Sequence, residues 1–355
     1  MSNSTPYDAL LYVSFGGPEG PEDVLPFLKN VTRGRGIPEE RLQEVAHHYD
    51  LFGGKSPLTE QNRAVMASLE KELTKRGIQL PLWFGNRNWH PFLTDTLAEL
   101  TATLGEGKRI LAFVTSAFSS YSGCRQYRED LELAQKAIPG SPAIDKIRVF
   151  YNHPGFLTAA AERVREELST WPEQERDTVE VIFTAHSIPL TMAKHSDYEA
   201  QLLDAASLIA DKLGHTRWRL AYQSRSGPPQ VPWLEPDILD VLRDLESSTV
   251  TPSPSRRVVI MPLGFLNDHL EVLYDLDIEA RQLAETLHLD LRRAATVGCH
   301  PAFIAAIADL IQERLDPTRP RLAEGKRGPK EDTCPETCCL NPAVRPGRPL
   351  PQEKP

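Results

Sequence analysis

The sequence predicts an α/β protein with parallel sheets. Short apolar runs of strand length alternate with amphipathic helical stretches through most of the chain, and this alternation is typical of βαβ units. The chain has 355 residues, of which 40% are hydrophobic and 25% charged, so it is long enough and apolar enough for two globular domains. We therefore expect two α/β halves, each with a four-stranded parallel sheet flanked by helices.

The first half contains short apolar runs bounded by turn residues, which predict strands at 9–15, 80–85, 109–115 and 146–151. Apolar residues that recur with the helical period predict the intervening helices at 63–76, 91–104, 126–137 and 155–170. The Gly16-Gly17-Pro18 turn after the first strand lacks the spacing of a nucleotide-binding loop. We expect its glycines to let a bulky, flat ligand approach the backbone.

The second half repeats this alternation. The same criteria predict strands at 179–185, 217–223, 258–263 and 294–297, and helices at 196–213, 236–245, 270–287 and 301–315. The repeat places a boundary near residue 155, so the predicted domains are 1–155 and 156–300. We expect the last helix, taken as 301–317, to pack back on the first domain.

The chain changes character after residue 317. Residues 318–355 are rich in proline and charge and follow neither the helical nor the strand period, so this tail would be disordered if nothing held it. It carries Cys334, Cys338 and Cys339, and Cys124 could supply a fourth thiolate. Four thiolates suit an iron–sulfur cluster or structural zinc, and the spacing alone leaves a cluster, zinc and free thiols open.

Charge and composition argue against several classes of protein. The net charge is −9, so no domain-wide basic field exists to hold nucleic acid. No apolar run approaches the roughly 20 residues that span a bilayer, and the N-terminus lacks the basic start and cleavage site of a signal peptide. We therefore expect a cytoplasmic protein, where disulfides are disfavoured, and we expect Cys299 to be a small turn or core residue.

Two predicted strands of the second half end near side chains that handle protons. His186 follows the strand at 179–185, and Glu271 and Asp275 follow the strand at 258–263. Ligands of open α/β sheets bind beyond the carboxyl ends of the strands. An imidazole that faces carboxylates there could take protons from a ligand and let a divalent metal replace them. The alternative for His186 is that it only caps a backbone carbonyl.

The acidic residues after the 258–263 strand form a row. On one helix, Asp268, Glu271, Asp275 and Glu279 would share a face, and like charges at this spacing destabilise a helix by a few tenths of a kcal/mol per pair. A bound cation would offset that repulsion. The alternative is a solvated acidic face that complements the helix dipole.

A local basic segment stands out on this acidic protein. Residues 29–35 carry Lys29, Arg33 and Arg35, and guanidinium groups bind carboxylates through paired hydrogen bonds. The segment therefore suggests a ligand that bears carboxylates, although it could also be an ordinary solvated loop.

Six segments resemble the motifs of the ferrochelatase family in the same order, over about residues 7–315. They are SFGGPEGPEDVLPFLKNVTRGRGIP, HYDLFGGKSPL, GNRNW, TAHSIP, QSRSGPPQVPWLEP and GFLNDHLEVLYDLD. The chain is most similar to soluble actinobacterial members that use coproporphyrin III. The resemblance implies two Rossmann-like, chelatase-type domains around a porphyrin cleft, and insertion of Fe²⁺ into the macrocycle without a nucleotide cofactor.

The resemblance also implies roles for individual residues. His186 matches the family's catalytic histidine, Glu271 its essential glutamate and Asp275 the next acidic position, with His186 and Glu271 offering ligands to the incoming Fe²⁺. Phe15 stands where some bacterial members have a tyrosine, so a tyrosine ligand to the product iron is not expected at that position. Many members hold a [2Fe–2S] cluster, for which Cys124 matches the internal ligand. The tail cysteines match in number, but their C-x-x-x-C-C spacing differs from the animal pattern.

The implied substrate is coproporphyrin III, whose four propionates suit a basic segment better than the two of protoporphyrin IX. The substrate-binding residues that we expect are Phe15, Lys29, Arg33, Arg35, Ser56, Tyr121 and Arg125. Alternatives are protoporphyrin IX as substrate, a chelatase for another tetrapyrrole, and a non-catalytic haem or iron–sulfur binding protein. The resemblance implies a monomer, and no motif marks a haem-pathway partner that supplies porphyrin or takes the product.

Overall fold

The computed structural model describes residues 5–34, 36–227, 230–247 and 256–342. Within them the chain forms two four-stranded sheets. The strands of the first sheet are β1 Ala9–Ser14, β2 Leu82–Asn86, β3 Arg109–Val114 and β4 Ala143–Lys146. Those of the second are β5 Glu180–His186, β6 Trp218–Gln223, β7 Arg257–Met261 and β8 Asp290–Arg293.

Both sheets are parallel throughout and have the same strand order. The first runs β2-β1-β3-β4 and the second β6-β5-β7-β8, so β1 and β5 occupy equivalent inner positions. In register, β1 pairs Leu10 with both Leu82 and Leu111. All six residues of β1 are buried, because helices cover both faces of the sheet. The predicted fold, two halves with four parallel strands each, is confirmed.

Helices flank both sheets. In the first half they are α1 Val24–Val31, α2 Glu39–Asp50, α3 Leu58–Lys75, α4 Leu93–Leu104, α5 Gln126–Ala137 and α6 Pro154–Leu168. In the second half they are α7 Glu173–Arg176, α8 Leu190–Ala193, α9 Tyr198–Leu213, α10 Ile238–Ser247, α11 Leu270–Val272, α12 Arg281–Thr286 and α13 Pro301–Leu315. Two π-helical segments, Tyr121–Arg125 and Leu273–Ala280, precede α5 and separate α11 from α12. Among the described residues, no helix is long and apolar enough to cross a membrane.

The helices α6 and α13 cross between the halves. Each begins with a His-Pro pair, and in each the Nδ1 atom of the histidine accepts a hydrogen bond from the backbone two residues later. Helix α6 follows the first sheet but packs on α9 and β7, whereas α13 follows the second sheet but packs on α3 and α6. A Cβ on Gly155 would lie 2.5 Å from the carbonyl oxygen of Ala302, so the two helix starts touch. A continuous hydrophobic core therefore joins the two sheets.

Two edge strands lie earlier than predicted. The predicted strand at 146–151 is wrong, because β4 ends at Lys146 and the apolar residues after it leave the sheet to pack against α6 and α13. The predicted strand at 294–297 is also displaced, since β8 is Asp290–Arg293. Both observed strands carry polar, partly exposed residues, as edge positions permit.

The region between β1 and α3 forms a helical flap that the sequence analysis did not anticipate. Helices α1 and α2 pack together through Val24, Phe27 and Leu42, and Leu270 of α11 joins their cluster. The ring of His48 on α2 stacks on Tyr274 at a centroid distance of 3.7 Å. Because α1 runs to Val31, Lys29 is helical, and the predicted basic loop begins only after it.

The described part of the tail, 318–342, lies against the two halves without regular structure. The buried guanidinium of Arg148 pairs with Glu313 at 3.0 Å and donates to the carbonyl oxygen of Leu322. The side-chain amide of Asn152 donates to the carbonyls of Glu324 and Gly328. Charge-assisted and backbone hydrogen bonds thus hold a segment whose own composition predicts disorder.

Candidate active site

His186 is the last residue of β5, at the carboxyl edge of the second sheet. Its backbone carbonyl accepts a hydrogen bond from the Tyr198 hydroxyl at 3.1 Å. Its Nδ1 atom contacts the carbonyl oxygen of Ser187. Because a carbonyl can only accept, Nδ1 carries the hydrogen when the imidazole is neutral, and the lone pair is then on Nε2.

The Nε2 atom of His186 faces Glu271, the second residue of α11. It lies 3.6 Å from Oε2 of Glu271, and both side chains are about one-third exposed (34% and 32%). The other carboxylate oxygen, Oε1, is buried and has no hydrogen-bond partner among the residues that the structure describes. A buried carboxylate oxygen without a partner is costly, so this atom is available to a proton or a cation.

The acidic row continues along the π-helical segment Leu273–Ala280. Burial, with the Glu271 carboxylate as the next cause, raises the pKa of Asp275 to about 8. Burial and the neighbouring Asp237 also raise the pKa of Glu279. The wider turn of a π-helix keeps residues four apart close to one line, and such segments are frequent at functional sites. The row therefore holds carboxyl groups that favour protons or cations.

Asp268 does not belong to this row. It precedes α11, and its carboxylate pairs with Arg293 at 3.1 Å. Its backbone nitrogen donates to the side chain of Gln61. The expectation that Asp268 shares a helix face with Glu271 is wrong, because the helix begins only at Leu270.

Three further side chains around Asp275 and His186 were not predicted from the sequence. The Ser224 hydroxyl contacts Oδ2 of Asp275, and the Gln223 amide lies 3.5 Å from the same oxygen. Ser224 has a positive φ of 64°, an uncommon conformation for a residue other than glycine. The Trp233 ring stacks 6.5 Å from the imidazole of His186. All three lie in the QSRSGPPQVPWLEP segment, whose position after a strand was the available signal.

A buried polar network joins the two sheets near the site. The Asn62 amide donates to the Ser14 hydroxyl at 2.8 Å, and the Asn267 amide donates to Asn62 at 2.8 Å. Because Ser14 ends β1 and Asn267 follows β7, these bonds fix the two strand ends relative to one another. The space between them is therefore held by rigid elements.

Phe15 directly follows β1 and is 37% exposed. Its ring contacts Phe27 edge-on at 6.3 Å and lies 5.7 Å from the guanidinium of Arg87. Lys29 pairs with Glu39 at 3.2 Å, and Arg33 donates to Asn30 at 2.8 Å, both at the surface. Arg35 lies outside the described residues.

The other expected substrate-binding residues use their polar groups within the protein. Ser56 is buried, and its hydroxyl lies 3.4 Å from the Leu58 nitrogen at the start of α3. The Tyr121 hydroxyl donates to Glu129 at 3.1 Å. Arg125 pairs with Glu129 at 2.7 Å and donates to the tail carbonyls of Glu336 and Cys338. These contacts associate Arg125 with the tail.

The tail cysteines meet Cys124 at a separate cavity of about 250 Å³, which all four of them line. Cys124 lies on the π-helical segment before α5, and its thiol interacts with those of Cys334 and Cys339, which lower its pKa. The sulfur atoms of Cys338 and Cys339 are 3.5 Å apart. Cys339 has a positive φ of 54°, a bend that lets adjacent cysteines face one cavity. Cys299 is exposed in a turn, so it is not a core residue.

Among the described residues, no group of three or more His, Cys, Asp or Glu is arranged around a single metal ion. The thiols therefore do not form a ready mononuclear zinc site. A two-iron cluster differs, because its four ligands are distributed over two metal ions. The four cysteines could hold such a cluster.

Comparisons with solved structures agree with the fold. The chain is similar to SirB from Bacillus subtilis with Fe³⁺, with a TM-score of 0.53 and 14% identity over 87% of this chain and 96% of that one. It is also similar to CbiX, described as the terminal enzyme of sirohaem biosynthesis in denitrifying bacteria, with a TM-score of 0.51 and 14% identity over 87% of this chain and all of that one. At this identity the likeness concerns the fold alone.

Sequence comparisons are more specific. A protein from Rhodopirellula baltica named ferrochelatase is 49% identical over 356 residues, which cover 99% of both chains. A protein from Streptomyces coelicolor named coproporphyrin III ferrochelatase is 49% identical over 97% of this chain and 96% of its own. The family model described as Ferrochelatase matches residues 7–315. With both sheets and the His186–Glu271 pair inside that match, the chain belongs to the ferrochelatase family.

Proposed function

We propose that the protein inserts Fe²⁺ into coproporphyrin III, forming coprohaem III in haem biosynthesis. The observation that carries the proposal is the 3.6 Å approach of His186 Nε2 to Glu271 Oε2 at the carboxyl edge of the second sheet. An imidazole lone pair and a carboxylate oxygen without a partner are the groups that removal of two pyrrole protons requires.

The proposed proton path begins at His186. Its Nε2 accepts a pyrrole proton, and Glu271 stabilises the imidazolium that forms or takes the proton onward. Asp275 lies further along the same acidic row. Its raised pKa keeps it protonated near neutral pH, so it relays a proton by releasing its own. Glu271 offers oxygen ligands to the incoming Fe²⁺, and neutral His186 offers Nε2 only before it accepts the proton, because this atom cannot hold both.

Rigid surroundings support the strained geometry that metal entry needs. A planar macrocycle hides its nitrogens, so it must be bent, and binding energy at its periphery can supply the distortion. Two side-chain hydrogen bonds, from Asn62 to Ser14 and from Asn267 to Asn62, hold the strand ends of both sheets in place. Phe15, which follows β1, and Trp233, which stacks beside His186, offer aromatic surfaces to a flat ligand.

Substrate choice is supported by the relatives and by the flap. Several relatives, including that from Streptomyces coelicolor, carry the name coproporphyrin III ferrochelatase. Lys29 pairs with Glu39 and Arg33 donates to Asn30, both at the surface. Exposed pairs of this kind contribute about 0–1 kcal/mol, so a propionate could replace either partner. Together with Arg35 they are the proposed partners of the additional propionates.

A substrate panel tests the proposal. The protein is incubated anaerobically with Fe²⁺ and either coproporphyrin III or protoporphyrin IX under matched detergent conditions, and the Soret and Q bands are followed. We expect faster conversion of coproporphyrin III. Equal or better turnover of protoporphyrin IX would reject the substrate assignment. Tight binding without metallation would favour a haem-binding protein, and cobalt insertion into sirohydrochlorin would favour a different chelatase.

We also propose that Cys124, Cys334, Cys338 and Cys339 hold a [2Fe–2S] cluster. The shared cavity, the contacts among the thiols and the bend at Cys339 support it. Bound there, the cluster would crosslink the tail to the π-helical segment before α5. The reaction leaves iron in its ferrous state, so the cluster's role is structural or regulatory.

A cytoplasmic monomer completes the proposal. We expect a reducing compartment, in which cysteines ligate metal or stay reduced and do not form disulfides. Light scattering coupled to gel filtration of the purified protein would measure its mass, and a stable dimer would overturn the monomer. A haem-pathway partner remains a prediction that pull-down with the preceding and following enzymes would test.

A further inference from the structure

The cysteine cavity has a basic lining that cluster ligation by itself does not require. Besides the four cysteines, the lining contains four basic residues, Arg125, Arg128, Lys146 and Arg314, and three acidic ones, Glu132, Asp145 and Asp332. A [2Fe–2S] cluster with four thiolate ligands carries net negative charge, which increases on reduction. Positive groups nearby therefore stabilise such a cluster, and its reduced form most.

The arginines of this lining are paired with carboxylates. Arg125 binds Glu129 at 2.7 Å, and Arg314 binds Asp332 at 2.7 Å. Arg128 lies 3.9 Å from Glu132. Their charges are thus largely compensated before any cluster is considered.

Lys146 differs from them. Over the described ranges of the chain it has no carboxylate within ion-pair distance, and its ammonium group donates to the carbonyl of Ile147 at 3.0 Å. It is the last residue of β4, paired in register with Ala112 of β3, so the sheet fixes its backbone. Its side chain is half-buried, and a charge there interacts more strongly than one in bulk water.

The ammonium of Lys146 faces the thiols. Lys146 lines the same cavity as Cys124 and Cys334, and its positive charge favours the thiolate form of both. It therefore acts on one proposed ligand from the body of the protein and on one from the tail. It is suited to neutralise charge where the tail is attached.

We propose that Lys146 is the charge-compensating residue of the cysteine site: its ammonium group offsets the negative charge at Cys124 and Cys334 and favours retention and reduction of the cluster. This inference rests on the proposed [2Fe–2S] cluster. Within the described part of the chain, Lys146 contacts neither His186 nor Glu271, so its effect is measured on the cluster itself.

The test compares Lys146→Met with Lys146→Arg, which keeps the charge, and with Lys136→Met. Lys136 is an exposed lysine on α5 that does not line the cavity, so it controls for loss of one positive charge. The reduction potential is measured by anaerobic dithionite titration with redox dyes, followed in the visible spectrum. The half-life of the cluster absorbance is measured in the presence of EDTA, and far-UV circular dichroism checks folding.

We expect Lys146→Met to lower the reduction potential and to shorten the cluster half-life several-fold, with Lys146→Arg near wild type and Lys136→Met unchanged. If Lys146→Met does not fold, Lys146→Gln keeps a polar side chain of similar length and repeats the test. If Lys146→Met has the same reduction potential and cluster half-life as the wild-type protein, this inference is overturned while the proposed cluster stands. Wild-type protein without iron and sulfide would overturn the cluster and this inference together.

Discussion

Gly264 lies directly against Ala185, the residue before His186. A Cβ added to Gly264 would come within 2.7 Å of the Ala185 Cβ atom and 2.8 Å of its Cα atom. Its backbone nitrogen also donates to the carbonyl oxygen of Thr184 at 2.9 Å. The turn that leads from β7 towards Glu271 therefore rests on the strand end that carries His186, and only glycine permits this contact.

Gly264→Ala should separate these two segments. Because the clash involves the backbone of β5, we expect destabilisation of about 1–3 kcal/mol and a fall in kcat of about tenfold to hundredfold. Urea unfolding and initial rates of iron insertion measure the two effects. Gly20→Ala is the matched control, since Gly20 has an extended backbone and an added Cβ would meet only the flexible end of Glu22. Equal behaviour of the two variants would show that the contact has no role.

His186→Ala should remove the proton acceptor and leave the porphyrin site in place. We expect the rate of coproporphyrin metallation to fall at least about 100-fold, as for loss of a general base. Fluorescence quenching of the bound porphyrin should give a Kd close to wild type. His195→Ala, at an exposed turn nine residues later, serves as control. Wild-type turnover by His186→Ala would refute the assignment.

Asp275 should make the stability of the metal-free protein depend on pH. Its pKa is raised in the folded state, so between about pH 4 and pH 8 the unfolded chain loses this proton first. The stability that the protonated group contributes is therefore lost as the pH rises towards 8. A tenfold change in proton affinity is worth about 1.4 kcal/mol, so the loss should exceed that figure.

Asp275→Asn should abolish this component, because an amide does not titrate. Urea unfolding at pH 5.5 and pH 8.5 should show a larger loss of stability in the wild-type protein than in the variant. Asp177→Asn, at the exposed end of α7, is the control. Parallel pH profiles for wild type and Asp275→Asn would contradict the raised pKa.

Cys338→Ser should remove one proposed ligand from the cysteine cavity. We expect loss of the visible cluster absorbance, together with lower iron and acid-labile sulfide per chain. Cys299→Ser is the matched control, because Cys299 is exposed and does not line the cavity. Unchanged iron and sulfide in Cys338→Ser would show that this residue is not a ligand.

The inner strands could be predicted because they are buried on both faces. β1, β3 and β5 are continuous apolar runs with clear turn residues after them. The edge strands β4 and β8 contain Asp, Lys and Arg, and the apolar residues beside them are buried by helix packing instead. A hydrophobic run marks burial, and at these two edges the buried residues and the strand-paired residues differ, whereas the opposite edge strands, β2 and β6, lie close to their predicted positions.

The sequence predicts the central pair of the site, His186 and Glu271, but not the residues and helix geometry around it. His186 and Glu271 follow strands of one parallel sheet, so topology brings them to the same edge. No local pattern marks the π-helical segment after α11 or the later start of that helix, which excluded Asp268. The Arg125 contacts were equally hidden, because they depend on where the irregular tail lies.

The crossed helices have a consequence for how such a chain can evolve. α6 leaves the first sheet to cover the second, and α13 leaves the second to return towards the first. A recombination event that moved only the first half would separate α6 from the second sheet that it covers. It would also leave the first half without α13. The two similar halves can therefore be inherited only together, and variation should accumulate in the flap and the tail, which can be exchanged without breaking that mutual dependence.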